Sequence, residues 1–506
     1  MRYNDSTMVN VKDHGAVGDG VTDDSAAITA AYTAAKSSPY EHKDLYFPIG
    51  NFLFNKAGFN QQYAGKFVGQ SKTESILTST DTFMQVTSSG AIDITIINLT
   101  FEGYTFTNTM PAGTTTPSLY DFEMKNVICI CGDVTSGTYF LNILGTSAPN
   151  QANAVIPSIN IESCSFSFGL LFLGFQFAWV NSVRFINNKV KCNNNIYGFI
   201  RVTPIPPNGF DNIHSEQTNG RIEIKDNEFS AVNGATVGIA LNLNREYPIT
   251  NPVVSGNTID GISEEGIAID GFGNNETLAN TICTGTITSA ANDGDGRLVI
   301  GFGNMQYVTG GTPTPSPISL RDDWTVFKLT MDKETGNDGQ LIDIHSFDSG
   351  SNTMTLNTRI LASSVLLAGE YSVQNGVFGA VIENNTIFNG YGSISVGISL
   401  YLGCYGAQVR GNRMSNLNRG VLVAGAKILS LYNSNSWNNS IYDNIIDSPT
   451  GVAMELLGLF SSTAKQYGNS VYNNTCRGGD IYITNQYDFN AHNNKMTTGK
   501  VVFDNT

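Results

Sequence analysis

Apolar and polar positions alternate in short stretches along most of the chain, and one asparagine pattern recurs among them. In this pattern an apolar residue is followed by two variable positions, an Asn and then usually another apolar residue. The Asn of the eight copies are Asn188, Asn227, Asn257, Asn385, Asn412, Asn444, Asn474 and Asn494. Apart from one large interval, they recur at a period near that of one coil of a β-solenoid, so we predict a repeat architecture.

A second motif, Gly–apolar–any–apolar, follows the Asn motif at a short distance. It occurs as GIALNLN, GIAIDGF, GISLYLG, GVLVAGA and GVAMELL at 238–244, 266–272, 397–403, 420–426 and 451–457. Such alternation predicts a strand with one buried face. Stacked at about 4.8 Å per coil, these strands bury a continuous core. We expect the Asn of each coil to adopt the left-handed conformation and to bond to the Asn above and below it, which is a structural role.

The large interval, between Asn257 and Asn385, predicts an insertion. The surplus residues, within 273–375, contain a Pro run, a strand pattern WTVFKLT and a hairpin-like stretch at 339–358. The predicted organisation is an N-terminal cap with a helix and the first coils at 1–60, a parallel β-helix at 61–272, a β-rich module at 273–375, and further coils at 376–506. The module either covers the core or faces a carbohydrate or a host, because insertions in solenoids map to loops on one face.

The N-terminal region predicts the only helix of the chain. Residues 25–38, SAAITAAYTAAKSS, are Ala-rich and place Ile28 and Tyr32 on one face. Thr22, Asp23 and Asp24 precede it and are suited to cap its first turn. A helix here would cover the open end of a solenoid, whose first coil otherwise exposes apolar surface.

Composition narrows the function classes. Lys and Arg number 28 and Asp and Glu number 43, which gives a net charge of −15 and disfavours nucleic-acid binding. The most apolar stretch, 166–180, is too short to span a bilayer and predicts core strands, and no secretion leader opens the chain. The seven Cys contain no CxxC pair, so we interpret them as buried apolar residues. The five His are scattered and predict no metal site, and no cofactor is expected.

The motif VKDHGAVGDGVTDD at 11–24, the Ala-rich helix and YFPIGNF at 46–52 together resemble a known family. They are similar to the start of right-handed parallel β-helix proteins of the pectate-lyase-like superfamily, in particular the polysaccharide-degrading tailspikes of bacteriophages. The resemblance implies an all-β fold, a right-handed parallel β-helix with an N-terminal capping helix and an inserted small β-module. It also implies a homotrimer on the phage tail, next to other tail proteins, that binds and usually cleaves surface polysaccharide of the host, either capsule or O-antigen.

Two features depart from that family. The residues before the motif leave no room for a virion-attachment domain, and no trimerisation stem follows the last coil, so trimers would have to form through the β-helix faces. The Gly-His-Gly motif and the adjacent Asp pairs typical of pectinases are absent from the coils. Pectin is therefore not the expected substrate.

Glycoside hydrolysis needs two carboxyl groups about 5–9.5 Å apart, a separation that side chains on neighbouring coils can provide. Alternation turns Asp270 outward, one coil from Asn242 and close to Glu246. Glu246 and Asp270 are therefore the predicted acid and base, with Glu264 and Glu265 on the preceding turn as further candidates. The predicted sugar-binding residues around this pair are Asn242, Asn244, Arg245 and Tyr401. Glu455 also faces outward, but it is about three coils from Asp270 and is placed outside this site.

Two other functions stay open. A lyase acting on a uronate-containing glycan would need a base such as His214 and a cation such as Arg201 or Arg245. A non-enzymatic adhesin would only bind glycan through its exposed strands.

Overall fold

The chain forms stacked coils of short parallel strands. The structure is a computed structural model, and it describes residues 8–36, 43–55, 66–79, 84–85, 94–109, 118–132, 139–144, 155–169, 173–178, 180, 182–203, 221–242, 249–270, 281–309, 312–314, 328–331, 342–348, 350–365, 367–374, 376–401, 403–424, 426–429, 432–434, 436–447, 449–457, 466–484, 486–487 and 489–504. Within these residues the strands of the coils stack in three columns, here called sheets 1, 2 and 3 in chain order, and the first two coils contribute strands to sheets 1 and 2 alone. Parallel pairing between successive coils confirms the predicted parallel β-helix.

Sheet 1 contains the strand that precedes the turn in each coil. Its fourteen strands pair in parallel with their neighbours in the order of the chain. They are Met8–Asn10, Asp44–Phe47, Lys66–Gly69, Ile94–Ile97, Ser118–Lys125, Val155–Glu162, Ser182–Ile186, Ile222–Lys225, Val253–Ser255, Val381–Glu383, Gln408–Arg410, Ser440–Tyr442, Ser470–Tyr472 and Asn490–His492.

Sheet 2 follows the turn, and sheet 3 follows sheet 2. Sheet 2 comprises Asp19–Asp23, Gly50–Leu53, Ser75–Thr78, Thr100–Glu102, Ile128–Cys131, Ser165–Phe168, Lys189–Cys192, Thr386–Gly390, Arg413–Ser415, Ile445–Asp447, Thr475–Arg477 and Lys495–Met496. Sheet 3 comprises Met84–Gln85, Phe106–Thr109, Tyr139–Leu144, Leu173–Ala178, Ile196–Thr203, Val396–Tyr401, Arg419–Ala424, Val452–Leu457, Ile481–Thr484 and Val501–Asp504. Two long strands, Glu228–Asn242 and Thr258–Asp270, run through both sheets and bend at Gly234 and Gly261, whose φ angles are 85° and 84°.

Shorter parallel strands close some coils between sheets 3 and 1. They are Ile249–Thr250, Val377–Phe378 and Cys404–Tyr405, and further along Gln466–Tyr467 and Gln486–Tyr487. A local hairpin joins Ala426–Leu429 to Tyr432–Ser434.

The predicted asparagine ladder is present at the turn between sheets 1 and 2. The side-chain Nδ2 of each ladder Asn donates to Oδ1 of the Asn in the next coil, at 2.8–3.1 Å from Asn188 through to Asn494. The predicted backbone conformation was wrong, since the left-handed residue is the one that precedes each Asn. Asn187 and Asn384, with φ of 55° and 57°, are two examples. The left-handed residue makes the turn, and the Asn after it points inward to satisfy the buried backbone groups that the turn leaves.

The predicted N-terminal helix forms at Ser25–Lys36 and packs on the first coils through Ile28 and Ala31, both buried. Asp23 Oδ1 accepts from Ser25 N at 3.0 Å, as expected of a capping residue. Asp24 acts differently, because its buried carboxylate accepts from Val17 N and Gly18 N at 2.7 and 3.1 Å. It thereby fixes the preceding loop, while its backbone carbonyl accepts the first helical bond from Ile28.

The stretch between Asn257 and Asn385 contains a separate antiparallel sheet with its own core. Its strands are Thr281–Asn292, Leu298–Thr309, Thr312–Thr314, Lys328–Met331, Ile342–Asp348, Thr353–Leu356 and Glu370–Gln374, with a 3-10 turn at Ala362–Ser364. The coils continue across it, because Val253 pairs directly with Val381 and Asn257 bonds to Asn385. These contacts support the division at 273 and 375, which we keep as a proposal.

Aromatic side chains fill the N-terminal half of the solenoid. Phe166, Phe175 and Phe185 contact one another with ring centroids 4.8–6.3 Å apart, as expected for the apolar stretch that was predicted to form core strands. The six Cys whose side chains are described are buried and free, and burial raises the pKa of four of their thiols, Cys129, Cys131, Cys164 and Cys476. Among the described residues, no helix is long and apolar enough to cross a membrane.

Candidate functional site

The outer face of sheet 3 carries the predicted site. Strand register places Asn242 beside Asp270 and Asp270 beside Tyr401, although the last two are separated by the inserted module in sequence. Ile267 and Ile269 point into the core and are fully buried, whereas Asp270 is partly exposed. The alternation that turned Asp270 outward, and the expectation that Tyr401 follows in the next coil, agree with this register.

Glu265 lies within the strand Thr258–Asp270, and not on a turn as the sequence suggested. Its Oε1 accepts a hydrogen bond from Ser399 Oγ of the next coil at 2.8 Å. Burial raises the pKa of the Glu265 carboxyl, the Ser399 hydrogen bond lowers it, and the charge of Glu264 raises it further. The net direction is upward, which favours a protonated carboxyl at higher pH than an ordinary Glu.

Tyr401 lies between several charged groups. Burial raises the pKa of its phenol to about 12, and the carboxylates of Glu265, Asp270 and Glu455 add to that shift, while Arg419 opposes it. The side chains of all four residues therefore lie within electrostatic reach of the Tyr401 ring. A phenol with this pKa keeps its proton and can donate a hydrogen bond throughout the neutral range.

Arg419 and Glu455 form an ion pair beside Tyr401. Arg419 Nε lies 2.5 Å from Glu455 Oε2, and both side chains are partly buried. Register confirms that Glu455 is three coils from Asp270, through Ser399 and Leu422. The charge of Glu455 nevertheless contributes to the raised pKa of Tyr401, two coils away, so Glu455 borders this cluster electrostatically.

The other described candidates lie apart from Glu265. Glu264 is exposed to solvent. Arg201 occupies the outer face of sheet 3 two coils before Asp270, with Ala240 and Ala268 following it in register. Its Nε is buried and has no hydrogen-bond partner. Arg201 is therefore on the same face as the cluster, but about 10 Å along the solenoid from Asp270.

Four predicted residues lie outside the described part of the chain: Asn244, Arg245, Glu246 and His214. Asn242 is described in its backbone only. The predicted pair of Glu246 with Asp270 and the His214 alternative thus stay predictions.

Sequence reasoning missed Ser399 and Arg419. Ser399 is in the GISLYLG motif, whose outward positions are Ser399 and Tyr401, so alternation could have identified it. Arg419 precedes the GVLVAGA motif and stands two coils from Glu265 in the same register. This relation can be predicted from the sequence only if the number of coils across the insertion is known.

The cluster is suited to proton transfer. It contains the Glu265 carboxyl with its raised pKa, the carboxylates of Asp270 and Glu455, and the protonated Tyr401 phenol. The Arg419 guanidinium is paired with Glu455. In the described ranges, no group of three or more His, Cys, Asp or Glu side chains is arranged to hold a metal ion.

Comparison with solved structures returns proteins of low sequence identity to this chain. An adhesin of Streptococcus pneumoniae, PfbA, aligns with 13% identity over 98% of this chain and 100% of its own, with a TM-score of 0.44. The A-module of mannuronan C-5 epimerase AlgE4 from Azotobacter vinelandii aligns with 12% identity over 98% of this chain and 100% of its own, with a TM-score of 0.42. The Dettilon tailspike protein aligns with 13% identity over 97% of this chain and 68% of its own, with a TM-score of 0.34.

No curated protein matches the sequence. Residues 8–167 match the family model described as rhamnogalacturonase A/epimerase, pectate lyase-like. This range includes the motif, the helix and the first strands that carried the resemblance. The N-terminal part of the chain is thus similar to pectate-lyase-like proteins, as its motifs implied.

Proposed function

We propose that the protein is a tailspike-like depolymerase that binds bacterial surface polysaccharide, capsule or O-antigen, and cleaves it by glycoside hydrolysis. The observation that carries the proposal is the partly buried Glu265 carboxyl, whose pKa is raised, on the same sheet face as Tyr401 and Asp270. A carboxyl whose pKa is raised by burial is what a general acid requires.

In this mechanism Glu265 donates its proton to the glycosidic oxygen as the bond to the anomeric carbon breaks. Asp270 removes a proton from the water whose oxygen attacks that carbon, so Glu265 ends ionised and Asp270 protonated, and proton exchange with solvent restores both. Tyr401, on the next coil, donates a hydrogen bond to the bound sugar. The rate should fall as pH rises through the raised pKa of Glu265, because the acid form is then lost.

Strand geometry favours inversion at the anomeric carbon. Ser399, which holds the Glu265 carboxyl, lies one coil and two residues from Asp270. At about 4.8 Å per coil and 3.3 Å per residue, the backbone positions of Ser399 and Asp270 are on the order of 8 Å apart, and the proposed mechanism takes this as the separation of the two carboxyl groups. Inverting glycosidases have a separation of about 6.5–9.5 Å, which leaves room for the attacking water.

A lyase is less well supported by the same residues. It needs a base to remove the C5 proton and a cation to neutralise the uronate. Tyr401, with a pKa of about 12, is a poor base, and Arg419 is already paired with Glu455. The carboxylates of Asp270 and Glu455 near Tyr401 would also repel a uronate.

The test is incubation with capsular and O-antigen polysaccharides of candidate hosts, following reducing ends and the ultraviolet absorbance of unsaturated uronates together. We expect reducing ends without absorbance, and a loss of about 10²–10⁴-fold in rate for both Glu265→Gln and Asp270→Asn. Glu264→Gln is the matched control, because Glu264 is the exposed neighbour of Glu265, and it should keep most of the activity.

Other outcomes would replace the proposal. Absorbance rising with the reducing ends would identify a lyase, and binding without any product would identify an adhesin. The homotrimer, the association with other phage tail proteins and the location on the virion, acting at the host surface, belong to the proposal as well. They rest on the resemblance of the N-terminal motifs, and sedimentation of the purified protein would test the trimer.

A further inference from the structure

Four exposed apolar side chains gather at the corner where sheet 2 turns into sheet 3. Tyr197, Val232, Tyr391 and Ile394 are 43%, 57%, 47% and 53% exposed. Tyr391 Oη lies 3.5 Å from the carbonyl oxygen of Val232, which joins two of them across two coils. We call these four residues the corner strip.

The Tyr391 ring packs against the backbone of two glycine residues. A Cβ at Gly234 would lie 2.9 Å from Tyr391 Cδ2, and one at Gly261 would lie 3.0 Å from Cε2. One edge of the ring therefore rests on two glycines of the preceding coils, both with positive φ. The rest of the ring is open to solvent. An aromatic ring that is fixed before binding loses little conformational entropy when a ligand packs on it.

The corner strip is continuous with the Glu265 cluster. Tyr391 N donates to Ile262 O, three residues before Glu265, which is about 10 Å along the strand. Register sets Val396, just after Ile394, beside Glu265. Hydrogen-bonding groups border the strip, where Asn233 Nδ2 donates to Asn194 Oδ1 at 3.2 Å and Asn389 Nδ2 donates to Asp260 Oδ1 at 2.8 Å. Exposed rings among amides and a carboxylate suit a ligand with both apolar and hydroxyl surface.

We propose that the corner strip is a sugar-binding subsite, in which Tyr391 packs against the apolar C–H face of a pyranose ring of the polysaccharide. The subsite rests on the proposed function for the identity of its ligand. It adds to that function a residue, Tyr391, that binds the polysaccharide beside the cleavage site. The polymer would then lie across the coils, with the bond to be cleaved at Glu265 and a neighbouring sugar on Tyr391. Because Tyr391 is remote from the reacting atoms, it contributes to binding and not to proton transfer.

The experiment measures polysaccharide binding by calorimetry in the Glu265→Gln background, so that cleavage does not interfere. Tyr391→Ala should weaken binding roughly tenfold, since it removes the ring, whereas Tyr391→Phe should bind nearly as well. Phe503→Ala is the matched control, because Phe503 is an exposed aromatic residue (59%) on the last described strand of sheet 3. In the active protein, Tyr391→Ala should raise KM and leave kcat nearly unchanged.

Unchanged binding by Tyr391→Ala would overturn the subsite while leaving the hydrolase proposal intact. Equal losses for Tyr391→Ala and Phe503→Ala would also overturn it. If Tyr391→Ala instead shifted the sedimentation coefficient without affecting binding, the corner strip would be a contact between copies of the chain. Binding that depends on Tyr391 in a protein that cleaves no polysaccharide would keep the subsite and remove the hydrolase.

Discussion

The asparagine ladder and the outer face of sheet 3 both place polar side chains one coil apart, yet they differ in how those groups are satisfied. Within the ladder each interior amide bonds to the same residue type above and below and to a backbone carbonyl, so Asn412 is fully buried at no loss of hydrogen bonds. On the outer face the neighbouring residue types change from coil to coil. There a hydrogen bond from Ser399 to the Glu265 carboxyl partly offsets the effect of burial on its pKa. A residue type repeated in every coil stabilises the fold, because each copy satisfies the next. Where the residue type changes between coils, polar side chains are left available for chemistry.

The largest expected effect is on stability, from removing an amide within the ladder. Asn412→Ala would leave the amide of Asn385 and the carbonyl of Ile382 buried without their partner. We expect a loss of about 2–4 kcal/mol, measured by thermal and urea denaturation. Asn494→Ala is the control, because Asn494 is partly exposed at the last described coil, where water can replace it. Equal losses at both positions would show that the ladder acts through something other than burial.

A smaller effect on stability is expected at the left-handed residues that precede the ladder Asn. Gly411 has φ of 63°, and an added Cβ would lie 2.6 Å from Asn384 Oδ1, the flexible end of a side chain. Gly411→Ala should cost about 1–2 kcal/mol, the strain of a left-handed alanine. Gly411→Asn should cost clearly less, since Asn occupies this place in other coils, including Asn384 itself. If both substitutions destabilised the protein equally in thermal denaturation, the cause would be contact and not backbone conformation.

These two regions also differ in how far the sequence predicts them. The eight ladder Asn were found because one residue type recurs at one place. The left-handed position was assigned to the wrong residue, because Asn, Asp and Gly all occupy it and no single residue type recurs there. In the site, alternation turned Asp270 and Tyr401 outward, but it could not pair Glu265 with Ser399. Those two are 134 residues apart, and their contact depends on two strands resuming register after the inserted sheet.

The smallest effect has the opposite sign and separates the two regions most clearly. Glu265 has a pKa raised by burial, so the folded state binds its proton more tightly than the unfolded state does. Its ionised form therefore destabilises the fold above that pKa, and the cost disappears as pH falls below the unfolded value of about 4.3.

Glu265→Gln keeps an oxygen for the Ser399 hydroxyl and removes the charge. We expect this substitution to stabilise the protein modestly at pH 7, by less than Asn412→Ala destabilises it, and the gain to vanish near pH 4. Melting temperatures of both proteins between pH 4 and 8 measure this, with Glu264→Gln as the exposed control that should show little change. If the gain in stability persisted unchanged at pH 4, its cause would be packing and not the loss of the Glu265 charge. A loss at pH 7 would mean that the folded state stabilises Glu265 as an anion, and would remove it as the general acid.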